Sequence, residues 1–474
     1  MELRPIEIRV DNLRERFSES WSRATAAEVK VPSQTRSFTS RTVRLSAIFV
    51  GSLLVCYALM LATRNVATLV DLQADRFDGT VAQGQFEDYV AFYAAGELVR
   101  QGRGGDIYDI DALAATEREI MSREVGGTGV LAFFNPPFVA LFFAPLTLVS
   151  VATAGLVLML GNIVLVAVAA FILHRQLEIR ERWVSLAFWL AVVSFESVFW
   201  LVAHNQLSMF LVFGFLGFFV LQKQGKLGLS GLALSLLLVK PQAALLIFVV
   251  LIWKRQWAAL GSFSVVAVTL VLASIAVAGP SALWEYPQFL AQSTSWEGSR
   301  GVDTQGMYGW NGFISTLTSY GGTTHLLATA VASLGILGAI AYSLRGRWQP
   351  SSDSFPLIIG VLALGSLLLN PHAYLQDTVL IALVLVLGPL AWRTHAKGLA
   401  LWIALSITAW FLVSRTMELQ AESNLNLLTP FAATLFLVMA GSAMIRGSSE
   451  TSPTPKTSIY EVPDSQSVWK QMPS

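Results

Sequence analysis

Three ionisable residues stand where a charge is out of place, and chemistry is to be sought there first. Asp88 sits one residue off an apolar stripe, Phe86, Tyr89, Val90 and Tyr93. The i, i+3, i+4, i+7 spacing of that stripe predicts a short amphipathic helix lying on a membrane surface. A carboxylate held there against apolar walls can have its pKa raised toward the working range of a general base. The plainer alternative is a solvated helix face, which spacing alone favours. Glu196 and Lys240 lie inside long apolar runs, where a charge at mid-membrane costs about 2.5–3.5 kcal/mol on the insertion scale, so each is a functional hypothesis by default. Lys240 precedes Pro241, which removes a backbone donor and opens the helix. Its ammonium can then face a cavity and receive an anion such as phosphate, or snorkel to the nearest interface. Glu196, beside Ser194 and Ser197, reads more readily as a structural hydrogen-bond partner.

Three polar clusters mark the ends of apolar runs: His204-Asn205-Gln206, Trp310-Asn311-Gly312 and the stretch from Asn370 to Asp377. Sugar hydroxyls and phosphate oxygens need fixed donors and acceptors beside an aromatic or apolar wall, and these clusters supply both. Singly each reads as an interfacial cap; together they favour a polar cavity on the non-cytoplasmic side. There is no phosphate-cradling G-x-x-x-x-G-K-[ST], no dinucleotide G-x-G-x-x-G after a strand, no H-E-x-x-H and no G-x-S-x-G. A nucleotide donor handled by a cytosolic domain is therefore not expected.

The elements that must position these residues are membrane helices. Of 474 residues 54% are hydrophobic and 13% charged, against about 25% charged in a soluble domain. The net charge of +1 excludes a generally basic nucleic-acid binder, and the single cysteine, Cys56, excludes an intramolecular disulfide framework and a cysteine metal cluster. Apolar runs long enough for spans of about 20 residues predict an all-α polytopic protein with about twelve crossings: one at Leu45 to Thr63, two in the charge-free run Gly126 to Leu173, and nine between Val184 and Ile445, one of them the whole of Leu227 to Trp253. The domain reading is a basic cytoplasmic segment at 1–44, a transmembrane body at 45–445 and a disordered Ser/Thr/Pro tail at 446–474. Two external segments follow, an acidic one at 64–125, with a second short helix at Ile110 to Arg123, and one rich in Trp, Tyr, Gly and Ser at 280–322. The late basic loops, from Lys254-Arg255 to Arg446, fall inside under this topology; Arg175, Arg180, Arg182, Lys223 and Lys226 fall outside, against the positive-inside tendency. Splitting Leu227 to Trp253 at Lys240-Pro241 would bring them inside, but only with two pieces too short to cross and odd parity earlier.

The order of residues from about 45 to 445 resembles glycosyltransferase family 87. Asp88, Tyr89, Tyr93, Ala94-Ala95, Gly102 and Tyr108-Asp109 look like the opening of that family's first large external loop; Asn135-Pro136-Pro137 and Pro145-Leu146 look like its double proline and following Pro-Leu. Lys240-Pro241, then Lys254-Arg255-Gln256-Trp257, and later Pro371 with Asp377 also match. Asn205-Gln206 stands where the family has Gly-Gln, a departure. The resemblance implies the C-type glycosyltransferase fold and a donor that is a polyprenyl-phosphate sugar, typically mannose. It implies Asp88 as the base that deprotonates an acceptor hydroxyl for inverting attack. Lys240, His372 and Arg300 are then the candidates for the donor phosphate, and Glu87, Tyr93, Asn205, Gln206, Asn311 and Asp377 for the sugar and acceptor. The acceptor is expected to be a glycolipid or cell-envelope glycan, reached from the periplasmic or exterior face of the cell membrane. No metal or other cofactor and no nucleic acid is expected. A transporter or flippase of lipid-linked sugars is the rival reading, since a broken helix and buried charges also describe carriers; carriers usually show two related halves, and the two external loops here are unequal and unrelated.

Overall fold

The computed structural model describes residues 33–78, 88–121, 129–296, 298–300 and 302–450. Most of the N-terminal segment, nearly all of the tail, Phe86 and Glu87 lie outside them. Contacts divide the chain into two units, Met1–Met60 and Leu61–Ser474. The first helix, α1 (Ser33–Asp78), passes from one into the other, and the site lies wholly within the second.

Among its described residues that second unit is all-helical apart from loops and one isolated bridge between Ser299 and Val302. After α1 come α2 (Tyr89–Arg100), α3 (Ile110–Met121), α4 (Pro137–Phe143), α5 (Val151–Gln176), α6 (Arg182–Ser194), α7 (Glu196–Ala203), α8 (Ser208–Lys223), α9 (Leu227–Leu234), α10 (Pro241–Trp253), α11 (Trp257–Ala278) and α12 (Ala282–Gln292). The C-terminal part holds α13 (Trp310–Ser315), α14 (Thr323–Ser343), α15 (Phe355–Leu369), α16 (Val379–Trp392), α17 (Ala396–Ser423) and α18 (Leu428–Glu450). By length and composition seven of the described helices can cross a membrane, or eight if α6 and α7, bent by 48° at Phe195, form one span.

Twelve full crossings are therefore not what the described helices present, and four places account for the difference. The run from Gly126 to Leu173 holds one long helix, α5, because Pro136-Pro137 starts the short α4 and a 3-10 turn follows it. The run from Leu227 to Trp253 breaks at Lys240, so that α9 with its 3-10 extension and α10 are two short arms. Pro241 takes the first helical position, where a missing N–H costs nothing. Finally α8 and α15, 16 and 15 residues long, rise about 24 and 22 Å at 1.5 Å per residue, short of a hydrocarbon core of about 30 Å. Every residue of α15 from Phe355 to Leu368 is buried, so this helix faces protein on all sides. The long helices instead turn large apolar side chains outward, among them Val265, Val268 and Leu272 of α11 and Leu327, Val331 and Leu334 of α14, the surface a bilayer covers.

The loops sort into two ends. At one end Gln222 Oε1 accepts from Trp348 Nε1 at 3.2 Å, Lys254 Nζ donates to the Leu344 and Gly346 carbonyls, Arg393 lies 3.9 Å from Asp353, and Arg446 donates to the Ala391 carbonyl at 2.5 Å. Helix α5 leaves the opposite end, where the Tyr89 and Tyr93 hydroxyls donate to the Val151 and Val149 carbonyls at 3.2 and 2.7 Å. Its far terminus thus carries Arg175 and the Arg180–Arg182 turn to the same end as Lys223, Lys226, Lys254, Arg345 and Arg393. The fold thus gathers at one end basic loops that the expected topology divides between two sides; α4 is only seven residues long, and α9 and α10 meet at the Lys240 break as two short arms.

Candidate active site

At the other end a cavity of about 670 Å³ opens among α2, α7, α10, the extended segment 129–136 and the loops 302–308 and 370–376; Asp88, His204, Gln206, Lys240, Asp303 and His372 are among its lining residues. It occupies the depth that the shortened helices leave free: α8 starts just after Gln206, α10 just after Lys240, and α15 ends just before Asn370.

Asp88 is the N-cap residue of α2, yet its side chain accepts no bond from the helix's own N–H groups. An N-cap aspartate ordinarily spends its carboxylate there. Here Oδ2 accepts from Gln206 Nε2 at 2.8 Å and lies 2.9 Å from His204 Nδ1. Helix α2 does not lie on a surface as its spacing suggested. Tyr89 to Gly96 are all buried, and the small residues Ala94, Ala95 and Gly96 let the α4 turn approach so closely that a Cβ on Gly96 would meet the Phe143 carbonyl carbon at 2.7 Å. Burial pushes the Asp88 pKa up, but His204 first, then Gln206 and Lys240, outweigh it, and the carboxyl is held below its ordinary value of 3.8. The elevation expected of an apolar wall is thus reversed by polar neighbours from a segment distant in sequence.

Lys240 does not snorkel. It forms an ion pair with Asp377, whose carboxylate also accepts from Ser208 Oγ at 2.5 Å and the Tyr374 N–H at 3.2 Å. Asp377 is 1% exposed and Lys240 15%, so the aspartate is the buried counter-ion and the ammonium faces the cavity. Asn135 Nδ2 donates to the Val239 carbonyl at 3.0 Å and secures the backbone just before the break.

His372 stacks on Phe134, rings 5.3 Å apart and 19° from parallel, with Nε2 3.1 Å from Ser293 Oγ. That hydroxyl donates to the Leu290 carbonyl at 2.7 Å, so its oxygen must accept from His372 and the proton sits on Nε2. The other nitrogen, Nδ1, is then a bare acceptor, buried and without a hydrogen-bond partner among the described residues. Burial, then Lys240, pushes the imidazole down to about 4, so it is neutral and adds no cation for a phosphate. Gln242 Nε2 and the His372 N–H both donate to Asn370 Oδ1, at 3.1 and 3.0 Å.

The remaining expected residues lie off the cavity wall. Asn205 is fully buried, holds a left-handed φ of 53° and donates to the Gly155 carbonyl at 3.0 Å. This accounts for the Asn205-Gln206 departure, because the position needs a residue that tolerates positive φ, and asparagine follows glycine in doing so. Tyr93 ties α2 to Val149, Asn311 Nδ2 donates to the Pro371 carbonyl at 3.0 Å, and the Arg300 guanidinium lies over Trp296 at 4.7 Å. Glu87 lies outside the described residues. Those not foreseen as site residues are His204, Gln242, Asp303 and Tyr374; burial, foremost, pushes the Tyr374 phenol up, and the charge of Asp88 adds to it. The His204-Asn205-Gln206 cluster already contained the first of these, but its spacing does not say which of the three turns toward Asp88. Among the described residues no three His, Cys, Asp or Glu side chains gather as metal ligands.

The cavity thus sets a carboxylate and an ammonium at one end of a bundle of apolar helices, several of them long enough to cross a membrane. The model of glycosyltransferase family 87 matches residues 133–371, just over half of the chain, and the chain belongs to that family: it is a membrane glycosyltransferase. The matched segment carries Gln206 and Lys240, while Asp88 and His372 join the cavity from outside it. No curated protein and no solved structure matches the chain.

Proposed function

We propose that the enzyme moves a hexose, mannose by resemblance to the family, from a polyprenyl-phosphate carrier to a hydroxyl of a glycolipid or envelope-glycan acceptor on the non-cytoplasmic face of the cell membrane, within a C-type fold. The observation that carries this reading is that one cavity holds both the carboxylate of Asp88, its pKa held low, and the ammonium of Lys240 in a family 87 chain.

In this mechanism Asp88 takes the proton of the acceptor hydroxyl as its oxygen bonds to the anomeric carbon. The bond from that carbon to the phosphate oxygen breaks with its electron pair, leaving a lipid phosphate monoester. Lys240, steadied by Asp377, donates to the phosphate oxygens on which charge grows. Gln206 keeps one Asp88 oxygen engaged and leaves the other for the proton. His372, neutral and bearing an acceptor, suits a sugar or acceptor hydroxyl rather than a phosphate, and Asp303 and Gln242 supply further polar contacts. Arg300, Asn311, Asn205 and Tyr93 support the walls. The side assignment rests on the basic loops gathered at the end opposite the cavity, which the positive-inside tendency places in the cytoplasm. Family membership counts against the carrier alternative.

The test is to incubate the purified protein with radiolabelled polyprenyl-phosphate sugars and host lipid extract, and to identify the product. A labelled glycolipid from a lipid-monophosphate donor supports the reading. Transfer only from nucleotide sugars would overturn it.

A further inference from the structure

Glu196, left as a structural partner by its sequence, is the root of a connected series that ends on Asp88. Glu196, Trp200 and His204 follow one another at intervals of four, along a single face of α7 and its C-cap. Glu196 forms an ion pair with Arg64 of α1, and its Oε1 accepts from Trp200 Nε1 at 3.1 Å. The Trp200 ring packs against the His204 ring at 5.0 Å, tilted by 36°, and His204 Nδ1 lies 2.9 Å from Asp88 Oδ2. Trp200, His204 and Asp88 all line the cavity, whereas Glu196 is buried behind them and touches no substrate space.

From this series we infer that Glu196 and Trp200 are positioning residues, which hold His204 in the one orientation that presents its Nδ1 to the catalytic carboxylate. The inference rests on the reading of Asp88 as the base. A histidine at the end of a short helix following a 48° bend has two ring torsions to fix. The indole covers one face of the imidazole, and the bond to Glu196 fixes the indole in turn. The pair with Arg64 engages one Glu196 oxygen and leaves the other aimed at the indole N–H, since a buried carboxylate without a partner would be too costly to retain. Asp88 is faced by His204 and Gln206 from the α7–α8 turn, by Lys240 from the α9–α10 break, and by Tyr374 with Asp303 from the loops beyond. Of these, His204 does most to keep the carboxylate ionised, so loosening it moves the acid limb of activity toward the ordinary aspartate range while leaving the donor's phosphate contacts in place.

The experiment measures kcat, donor KM and the pH–rate profile for Glu196→Gln, Glu196→Leu, Trp200→Phe and Trp200→Leu, beside Asp88→Asn, with a polyprenyl-phosphate sugar as donor. Glu196→Leu and Trp200→Leu are expected to lower kcat by about tenfold or more, the scale of a misplaced catalytic group. Their donor KM stays within about twofold of wild type and their acid limb rises. Glu196→Gln keeps an acceptor for the indole and is expected to retain most of the activity, and Trp200→Phe falls between. Wild-type kcat and an unmoved acid limb in the leucine variants would overturn the inference, as would equal losses in Glu196→Gln and Glu196→Leu. A leucine variant that does not fold leaves Glu196→Gln and Trp200→Phe to decide by the same split. Full activity in Asp88→Asn would instead remove the base itself, and the two failures are thereby told apart.

Discussion

Asp88 shows how little a residue's position in the chain says about its protonation. From sequence it is a carboxylate near apolar walls, and such walls raise a pKa. In the folded protein His204, Gln206 and Lys240 arrive from beyond residue 200 and reverse the direction. The sign of the pH dependence follows. A carboxyl whose folded pKa lies below its unfolded value contributes its full stabilisation above the unfolded range and loses it as pH falls through the folded value. Its ionised, proton-accepting form persists over the same span. Transfer measured against pH is therefore expected to show no acid limb from Asp88 above 3.8. A limb near neutrality that disappears in Asp88→Asn would contradict this. The candidate site was legible where a residue type was itself anomalous, as with Asp88 and Lys240, or sat in a polar cluster, as with Gln206 and His372. Asp377 and Asn205 were visible for the same reason but were assigned to the cavity, because chain position does not reveal that one side chain closes an ion pair and the other a left-handed turn.

Elements were legible in number more than in kind. Hydropathy places every apolar helix but treats a lipid-facing span and a protein-enclosed one alike. It thus counts α15, which is buried on all sides, and the paired arms α9 and α10 as ordinary crossings. The turn between α7 and α8 offers a direct test of how such an element is held. Asn205 occupies φ 53° there, a region that costs about 1–3 kcal/mol for residues unsuited to it. Asn205→Gly is expected to keep thermal stability and activity close to wild type, whereas Asn205→Val should be destabilised by about that amount and lose activity through Gln206. Equal melting temperatures for the two variants in detergent would contradict the account.

At the scale of the whole chain, the positive-inside pattern conflicts with the expected topology because that topology divides basic loops which the fold gathers at one end. These loops collect at the end opposite the cavity. In a Cys56→Ser background, Lys226→Cys and Arg347→Cys are expected to react with an impermeant thiol reagent only from the cytoplasmic face, and Ser319→Cys only from the other. Labelling of Lys226→Cys and Ser319→Cys from the same face would contradict this arrangement. The central claim, that a membrane glycosyltransferase uses Asp88 to activate its acceptor, is tested most directly by single-turnover transfer from a bound polyprenyl-phosphate sugar in wild type and Asp88→Asn, with donor affinity measured alongside. The predicted result is a loss of about 10²-fold or more in the transfer step with donor affinity little changed; an undiminished transfer rate in Asp88→Asn would contradict it.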